Sequence, residues 1–321
     1  IFPIIANLPP LYGSKPNDPS ARKIGSYLMW VAITAACITS SMFLSALAPN
    51  LLALALVKST VGINISGSNW FIGFLPVGIL LILTMPLLAY IFYPPEVKFN
   101  DEVPRWASAE LVKLGRLTRN EILLLVFVCC ALAMWIFAAA VIEPALAALL
   151  IIGLMLWTGV LEWNDITSNK PAWNTFFWFA TLVALANGLS TTGFIAWLGK
   201  EGGILMSGVS PTAATILIVV AFYLLHYLFA SATAHTTALL PAALTIASTI
   251  PGMNMQVFCM LMVTSLGVMG IITPYGTGPS PIYYGSGYLP TKDYWRLGTI
   301  FGAIFLAALL FIGYPWMAMM F

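Results

Sequence analysis

The hydrophobic residues of this chain fall into long runs separated by short polar or proline- and glycine-rich breaks. The longest stretch without Asp, Glu, Lys or Arg is 202–291, which covers 90 residues (291 − 202 + 1). A helix crosses a bilayer with about 20 apolar residues. The pattern therefore predicts an all-α polytopic membrane protein. Its apolar segments are 24–47, 50–57, 70–93, 121–141, 144–161, 172–190, 213–230, 234–249, 256–272, 278–288 and 296–320.

Two of the apolar segments are too short to cross a bilayer, and each follows a break. The break Ala48-Pro49-Asn50 leads into 50–57, and the break 273–279, TPYGTGP, leads into 278–288. Because Pro and Gly interrupt helical hydrogen bonding, each short segment is interpreted as the second half of a discontinuous helix. Segments 213–230 and 234–249 are joined only by 231–233. They are predicted to form a re-entrant hairpin, 213–249, whose tip stays within the membrane.

One substantial polar segment, 94–120, divides the chain. Its three prolines and the stretch WASAELVKLGRL predict a cytoplasmic linker with an amphipathic helix at the membrane surface. In the predicted topology, the broken helices before and after this linker enter the membrane from opposite faces. This arrangement favours inverted repeats. We expect 1–93 to be the C-terminal part of a first repeat. We expect 121–321 to be a second repeat, with scaffold helices, the hairpin, a broken helix at 256–288 and a last helix.

Composition and charge agree with this architecture. The chain is 60 % hydrophobic and 7 % charged, with a mean hydropathy of +0.95, whereas soluble domains carry about 25 % charged residues. A net charge of +2 gives no basic stripe, so nucleic acid is not an expected partner. The four cysteines lack CxxC spacing, so neither a zinc site nor a disulfide framework is indicated. Eleven of the 13 basic residues fall on the side of the linker, which the positive-inside rule makes cytoplasmic.

The breaks are the candidate binding site. Unpaired backbone groups in hydrocarbon cost several kcal/mol each, so three coincident interruptions favour a ligand over simple packing or kinking. The helix start after the tip would offer free N–H groups, a positive dipole end and hydroxyls, which suit a carboxylate. The candidate substrate-binding residues are Ser231, Ala232, Thr233, His235 and Thr236 at the tip, Pro49 and Asn50 at the first break, and Thr273, Pro274, Gly276, Thr277 and Gly278 at the second.

His235 is the only ionisable residue near the tip, and such residues inside a membrane are functional candidates by default. Two interpretations stay open: a cationic His235 offsets substrate carboxylates, or a neutral one hydrogen-bonds across helices. His226 is interpreted as a packing histidine. Ser231 and His235 lack an orienting acid and a GxSx context, so the protein is not expected to be an enzyme. No ring of charges or carbonyl filter motif indicates a channel.

Four runs of sequence carry a resemblance to the divalent anion:sodium symporter family. They are NLPPLYGSKPNDPSARKIGSYLMW, SNWFIGFLPVGILLILTMPLLAYIFYPPEVK, FASATAHTTALLP and ITPYGTGPSPIYYGSGYLPTKDYWRLG. Within the family, the chain resembles the bacterial citrate/succinate and tartrate/succinate antiporter branch and is similar to chloroplast 2-oxoglutarate/malate translocators. The resemblance implies an elevator-type carrier, usually a homodimer, in which two hairpins and two broken helices hold a di- or tricarboxylate.

In that family each hairpin tip carries a Ser-Asn-Thr motif that binds substrate and helps to ligate sodium. The second motif maps to Ser231, Ala232 and Thr233, so alanine replaces the amide, and the first motif is expected upstream of Ile1. This departure favours a sodium-independent exchanger of acids such as malate, succinate, tartrate, citrate and 2-oxoglutarate. His235 would then substitute for the cation, and neither cofactor nor metal is expected. The alternative is a Na⁺-coupled dicarboxylate symporter. The expected location is the bacterial cytoplasmic membrane, with the chloroplast inner envelope as the alternative.

Overall fold

The computed structural model describes residues 2–97, 102–138, 141–142, 144–170, 173, 176–177, 180–181, 184–185, 188, 191–206 and 208–321. Within these ranges the regular structure is helical and contains no strand. The helices are α1 (Phe2–Ala6), α2 (Leu8–Leu11), α3 (Gly25–Met42), α4 (Ala48–Val61), α5 (Gly67–Phe92), α6 (Glu102–Leu114), α7 (Arg119–Phe137), α8 (Pro144–Trp157), α9 (Trp163–Thr167), α10 (Phe194–Leu205), α11 (Pro211–Leu225), α12 (Ala232–Ser248), α13 (Met255–Val268), α14 (Pro279–Gly285), α15 (Thr291–Ala308) and α16 (Tyr314–Met320).

Among the described residues, five helical runs are long and apolar enough to cross a bilayer. They are Gly25–Met42, Gly67–Phe92, Pro211–Leu228, Met255–Ile272 and Thr291–Met320. The predicted all-α polytopic class is confirmed at this level. The predicted segment 172–190 lies mostly outside the described residues. Because Pro211–Leu228 is itself long enough to span, its length does not decide whether α11 and α12 form a re-entrant hairpin, which stays a prediction.

The chain forms two compact units, residues 1–100 with 181–321, and residues 101–180. In the smaller unit α7 packs against α8, and their contact is centred on the buried side chains of Phe127, Ile151 and Met155. Helix α6 begins the smaller unit where the sequence predicts an amphipathic helix, and its Leu111 and Val112 are exposed. Its position at a membrane surface stays a prediction.

In the larger unit, α3 and α13 each end at an irregular segment, after which the chain continues as a shorter helix. After α3, Phe43 is extended, 44–46 form a 3-10 turn, and α4 begins at Ala48. The prediction placed this break at 48–50, but the structure places it at 43–47, with Pro49 and Asn50 in the first turn of α4. Proline lacks an N–H, and its fixed φ suits a first helical turn, so Pro49 starts α4.

The second break follows the prediction closely. Helix α13 continues as a 3-10 turn through Ile272, Thr273 is extended, and α14 begins at Pro279. The two helical runs before the breaks, Gly25–Met42 and Met255–Ile272, are each 18 residues long. They are 230 positions apart at both ends (255 − 25 and 272 − 42). The two broken helices therefore share length and register.

Each break is closed by the same kind of hydrogen bond. In the first turn of the following helix, a proline precedes a buried polar residue, which is Asn50 in α4 and Ser280 in α14. Asn50 Nδ2 donates to the Ser40 carbonyl at 2.8 Å, and Ser280 Oγ donates to the Gly270 carbonyl at 3.5 Å. In both cases the acceptor lies ten residues earlier in the chain. These side chains donate hydrogen bonds to backbone carbonyls that the interrupted helices leave without a helical partner.

The ends of α3 and α13 are in direct contact. Ser41 Oγ accepts a hydrogen bond from the Val268 N–H at 2.9 Å, and Trp70 Nε1 donates to the Ser41 carbonyl at 2.8 Å. Gly267 lies against the backbone of Ser41 and Cys37, so close that a Cβ there would overlap it. A glycine at this position is what allows two helix backbones to approach this closely.

Candidate functional site

The turn between α11 and α12 is tight. Helix α11 is followed by a 3-10 turn at His226–Leu228, and α12 begins at Ala232. Ser231 is the N-cap of α12, since its Oγ accepts a hydrogen bond from the Ala234 N–H at 3.1 Å. Ser231 and Thr233 are half-buried. The N-terminus of this 17-residue helix presents N–H groups and the positive end of its dipole, which suit an anion.

The predicted tip residues differ in what their side chains can offer. Thr236 Oγ1 donates to the Ala232 carbonyl at 2.7 Å inside its own helix, and Thr236 is fully buried. Ala232 is 3 % exposed and provides no side-chain oxygen. Thr233 makes no side-chain hydrogen bond among the described residues. Thr233 is therefore the tip hydroxyl that is free to bind a ligand, and Ser231 Oγ already serves as a helix cap.

His235 is fully buried in an aromatic surrounding. The rings of Phe222 and Phe229 lie 4.3 and 5.1 Å from its ring, and the His226 ring lies 5.0 Å away, nearly perpendicular. Neither ring nitrogen of His235 has a hydrogen-bond partner in the structure, so Ser231 and His235 are not hydrogen-bonded as a nucleophile and base would be. A buried polar group without a partner costs free energy, so the site is incomplete without a further ligand or rearrangement.

The second break lies against the turn before the tip. His226 Nε2 is 3.1 Å from the Gly276 carbonyl oxygen, and Tyr275 OH donates to the Tyr227 carbonyl at 3.2 Å. Thr273 Oγ1 is buried without a partner, whereas the Thr273 carbonyl accepts a hydrogen bond from Tyr294 OH at 3.2 Å. The turn before the predicted tip and the predicted second break are therefore joined by two hydrogen bonds in opposite directions.

The other predicted residues of the second break have separate roles. Thr277 Oγ1 and Ser280 Oγ share a hydrogen bond of 2.8 Å inside the break. Pro274 is buried, and Gly278 is exposed with open space where a Cβ would be. Gly276 has no such space, since a Cβ would lie 2.6 Å from His226 Nε2 and 2.7 Å from Thr273 Oγ1. Gly276 is the position at which the break cannot carry a side chain.

The helix that follows the first break packs against the helix that follows the tip. Helix α4, which starts with Pro49 and Asn50, packs along α12. Asn50 Nδ2 donates to the carbonyls of Ser40 and Phe43, and its Oδ1 is buried without a partner. Among the described residues, the helix that follows the tip thus packs against both broken helices, and each break holds one buried oxygen without a partner there. His226 and Tyr275, which hold the second break on the tip, were not among the predicted site residues.

The sequence of this chain matches known proteins. A family model described as the transmembrane region of sodium:sulfate symporters matches residues 1–321. The chain belongs to the divalent anion:sodium symporter family. Relatives named L-tartrate/succinate antiporter, from Escherichia coli (strain K12) and Shigella sonnei (strain Ss046), are each 52 % identical over 317 residues. The match covers 99 % of this chain and 65 % of the length of each relative.

The predicted resemblance to this family and to its tartrate/succinate antiporter branch is confirmed. The named relatives of this symporter-family chain are antiporters, consistent with the expectation that it is not an enzyme. The family match and the apolar helices together support the prediction that this chain is a multi-pass membrane protein.

Proposed function

We propose that the protein is a secondary active transporter that exchanges dicarboxylates, and also tricarboxylates such as citrate, across the bacterial cytoplasmic membrane. The observation that carries the proposal is the packing of α12, whose N-terminus is capped by Ser231, against α4 and α13 of the two broken helices. Helices α12 and α13 lie in a stretch of sequence without Asp, Glu, Lys or Arg. Helix termini and hydroxyls bind carboxylates without a fixed counter-charge. The two relatives named as L-tartrate/succinate antiporters support tartrate and succinate as substrates. Malate and 2-oxoglutarate are proposed from the family resemblance.

In this proposal the carboxylates bind to the first N–H groups of α12 and to the hydroxyls of Ser231 and Thr233. Protonated His235 offsets part of the substrate charge, and the Thr273 hydroxyl, which can donate, and the N–H groups of the break complete the site. Pro49, Pro274 and Gly276 act through the backbone, because they fix the irregular segments against which the substrate lies. Ala232 contributes its backbone alone, since its side chain is a buried methyl group.

We also propose inverted repeats and an elevator-type movement in which the site-bearing elements cross the membrane as one body. The 230-residue register of the two broken helices (255 − 25) and the matching hydrogen bonds of Asn50 and Ser280 support the repeats. The two hydrogen bonds between the turn before the tip and the second break support joint movement. A homodimer is proposed from the family resemblance.

Counterflow in sodium-free proteoliposomes tests the function. We expect uptake of labelled succinate that requires an internal dicarboxylate, is saturable and does not need sodium. The control is the same vesicles loaded with buffer alone, which should take up almost no succinate. Uptake that depends strictly on sodium would replace this proposal with the symporter alternative.

The Na⁺-coupled dicarboxylate symporter has one structural observation in its favour. Asn50 Oδ1 and Thr273 Oγ1 are buried oxygens without partners, one at each break, and oxygen ligands suit a hard cation. These atoms would hold Na⁺ as a co-transported ion. Against it, the tip position at which the family carries an amide is Ala232, whose methyl group cannot bind a cation. Sodium dependence of the counterflow decides between the two.

The tip hydroxyls can be tested against a matched helix cap. Ser231→Ala removes both an N-cap and a proposed carboxylate contact, so we expect it to raise the half-saturating succinate concentration about tenfold. Ser210→Ala removes only an N-cap, since Ser210 Oγ accepts from Ala213 N–H at the start of α11. Each cap loss costs about 1 kcal/mol of stability. Thr233→Ala should weaken binding as Ser231→Ala does, and equal succinate affinity in all three folded variants would contradict the site.

A further inference from the structure

His226 is a buried histidine whose hydrogen-bonding role is fixed by its neighbour. No part of its side chain is exposed, and Nε2 lies 3.1 Å from the carbonyl oxygen of Gly276, fifty residues away in the chain. A carbonyl oxygen can only accept, so Nε2 carries the hydrogen. In the neutral ring the lone pair is then on Nδ1, which is buried and has no partner.

The polar ring in contact with His226 is that of His235. His235 lies between Phe222 and Phe229, which offer apolar rings, and its centroid is 5.0 Å from that of His226. The two imidazoles are nearly perpendicular, and a rotation of the His235 ring brings one of its nitrogens toward His226 Nδ1. An N–H of His235 that donates to Nδ1 would satisfy two atoms that are now unpaired.

We propose that His226 is a positioning residue for the carboxylate site. Its Nε2–H holds the Gly276 carbonyl of the second break, and its Nδ1 accepts from His235 and so fixes the orientation of that ring. When His235 is protonated, its second nitrogen also carries a hydrogen and is thereby left to donate to the substrate carboxylate. One side chain then sets the geometry of both the break and the tip. The inference rests on the proposed function, because it assigns His226 a role in the same site.

A double-mutant cycle on the full-length transporter in proteoliposomes tests this role. The half-saturating succinate concentration is measured for the wild type, His226→Leu, His235→Gln and the double variant. We expect His226→Leu to raise it at least about tenfold, because the variant removes a buried donor and a buried acceptor. If His226 acts partly through His235, the loss of affinity in the double variant is at least about threefold smaller than the product of the two single losses. Additive losses, or an unchanged value for His226→Leu, overturn the proposal.

Two further variants separate positioning from general packing. The amide of His226→Gln can both donate and accept, so this variant should stay within about threefold of the wild type. Tyr223→Phe is the control on the same helix, since Tyr223 OH donates to the Val268 and Gly302 carbonyls. It should lower thermal stability and leave the half-saturating concentration unchanged.

The remaining outcomes are also decisive. If His226→Leu does not fold, His226→Asn takes its place in the cycle, because its amide is too short to reach Gly276 while remaining polar. Failure of His226→Gln to rescue transport in a folded protein overturns the proposal. A wild type without trans-stimulated succinate flux overturns the proposed function itself, whereas normal wild-type flux with an additive cycle overturns only the role of His226.

Discussion

Replacing Gly276 by alanine is expected to reduce succinate exchange by at least about tenfold. The new Cβ would lie 2.6 Å from His226 Nε2, 2.7 Å from Thr273 Oγ1 and 3.0 Å from the Gly270 carbonyl oxygen. One of these neighbours is backbone, so the break has to move or release His226. Overpacking of this kind costs about 1–3 kcal/mol, and about 1.4 kcal/mol corresponds to a factor of ten. Initial exchange rates in proteoliposomes, normalised to the amount of folded protein, measure the effect.

Gly285→Ala is the matched control for this variant. Gly285 lies at the end of α14, shortly after the same break, and a Cβ there would meet nothing within 4 Å. We expect its exchange rate and stability to equal those of the wild type. A Gly276→Ala protein that exchanges succinate at the wild-type rate would show that the break does not need its close contact with His226.

Gly267→Ala is expected to have the largest effect on stability. Its Cβ would overlap the Ser41 backbone nitrogen and lie 2.6 Å from Ser41 Oγ and 2.7 Å from the Cys37 carbonyl oxygen. The obstacle includes backbone, so α3 and α13 have to separate. We expect a loss of about 3 kcal/mol, at the upper end of the usual cost of overpacking. Thermal unfolding of the purified protein in detergent measures it.

Gly73→Ala provides the comparison. Gly73 also lies in a packed helix, but a Cβ there would meet the terminal methyl groups of Met260 and Met317, which can move. Its unfolding temperature should fall much less than that of Gly267→Ala. Similar losses in both variants would mean that the contact between α3 and α13 is not specially dependent on glycine.

The sequence was sufficient to predict the class of fold and the presence of both breaks, but not the position of the first. Long charge-free runs can be recognised in the sequence because a helix in hydrocarbon needs apolar residues. Pro/Gly clusters can be recognised because they interrupt helical hydrogen bonding. Pro49 illustrates the limit. A proline marks an irregular segment equally well whether it ends one helix or begins the next, and in the structure it begins α4.

The sequence allowed the segments of the candidate site to be predicted, but not the hydrogen-bond partners of their side chains. Thr236 was a candidate ligand, yet its hydroxyl donates to the Ala232 carbonyl one helical turn earlier. His226 was interpreted as a packing histidine, and nothing in the sequence indicated its partner, because a backbone carbonyl fifty residues away has no sequence signature. The one available signal was the presence of both histidines of the chain in a single apolar stretch.

The absence of Asp, Glu, Lys and Arg from α11 to α14 has an electrical consequence. Moving one elementary charge through a membrane potential of 100 mV involves about 2.3 kcal/mol. In the proposed exchange, a dianion carries two charges in one direction and the returning dianion carries two in the other. These helices contribute no Asp, Glu, Lys or Arg. Any charge that they do carry crosses once in each direction and therefore cancels over the cycle. Dianion exchange is therefore independent of voltage and is driven by the concentration ratios of the two acids alone.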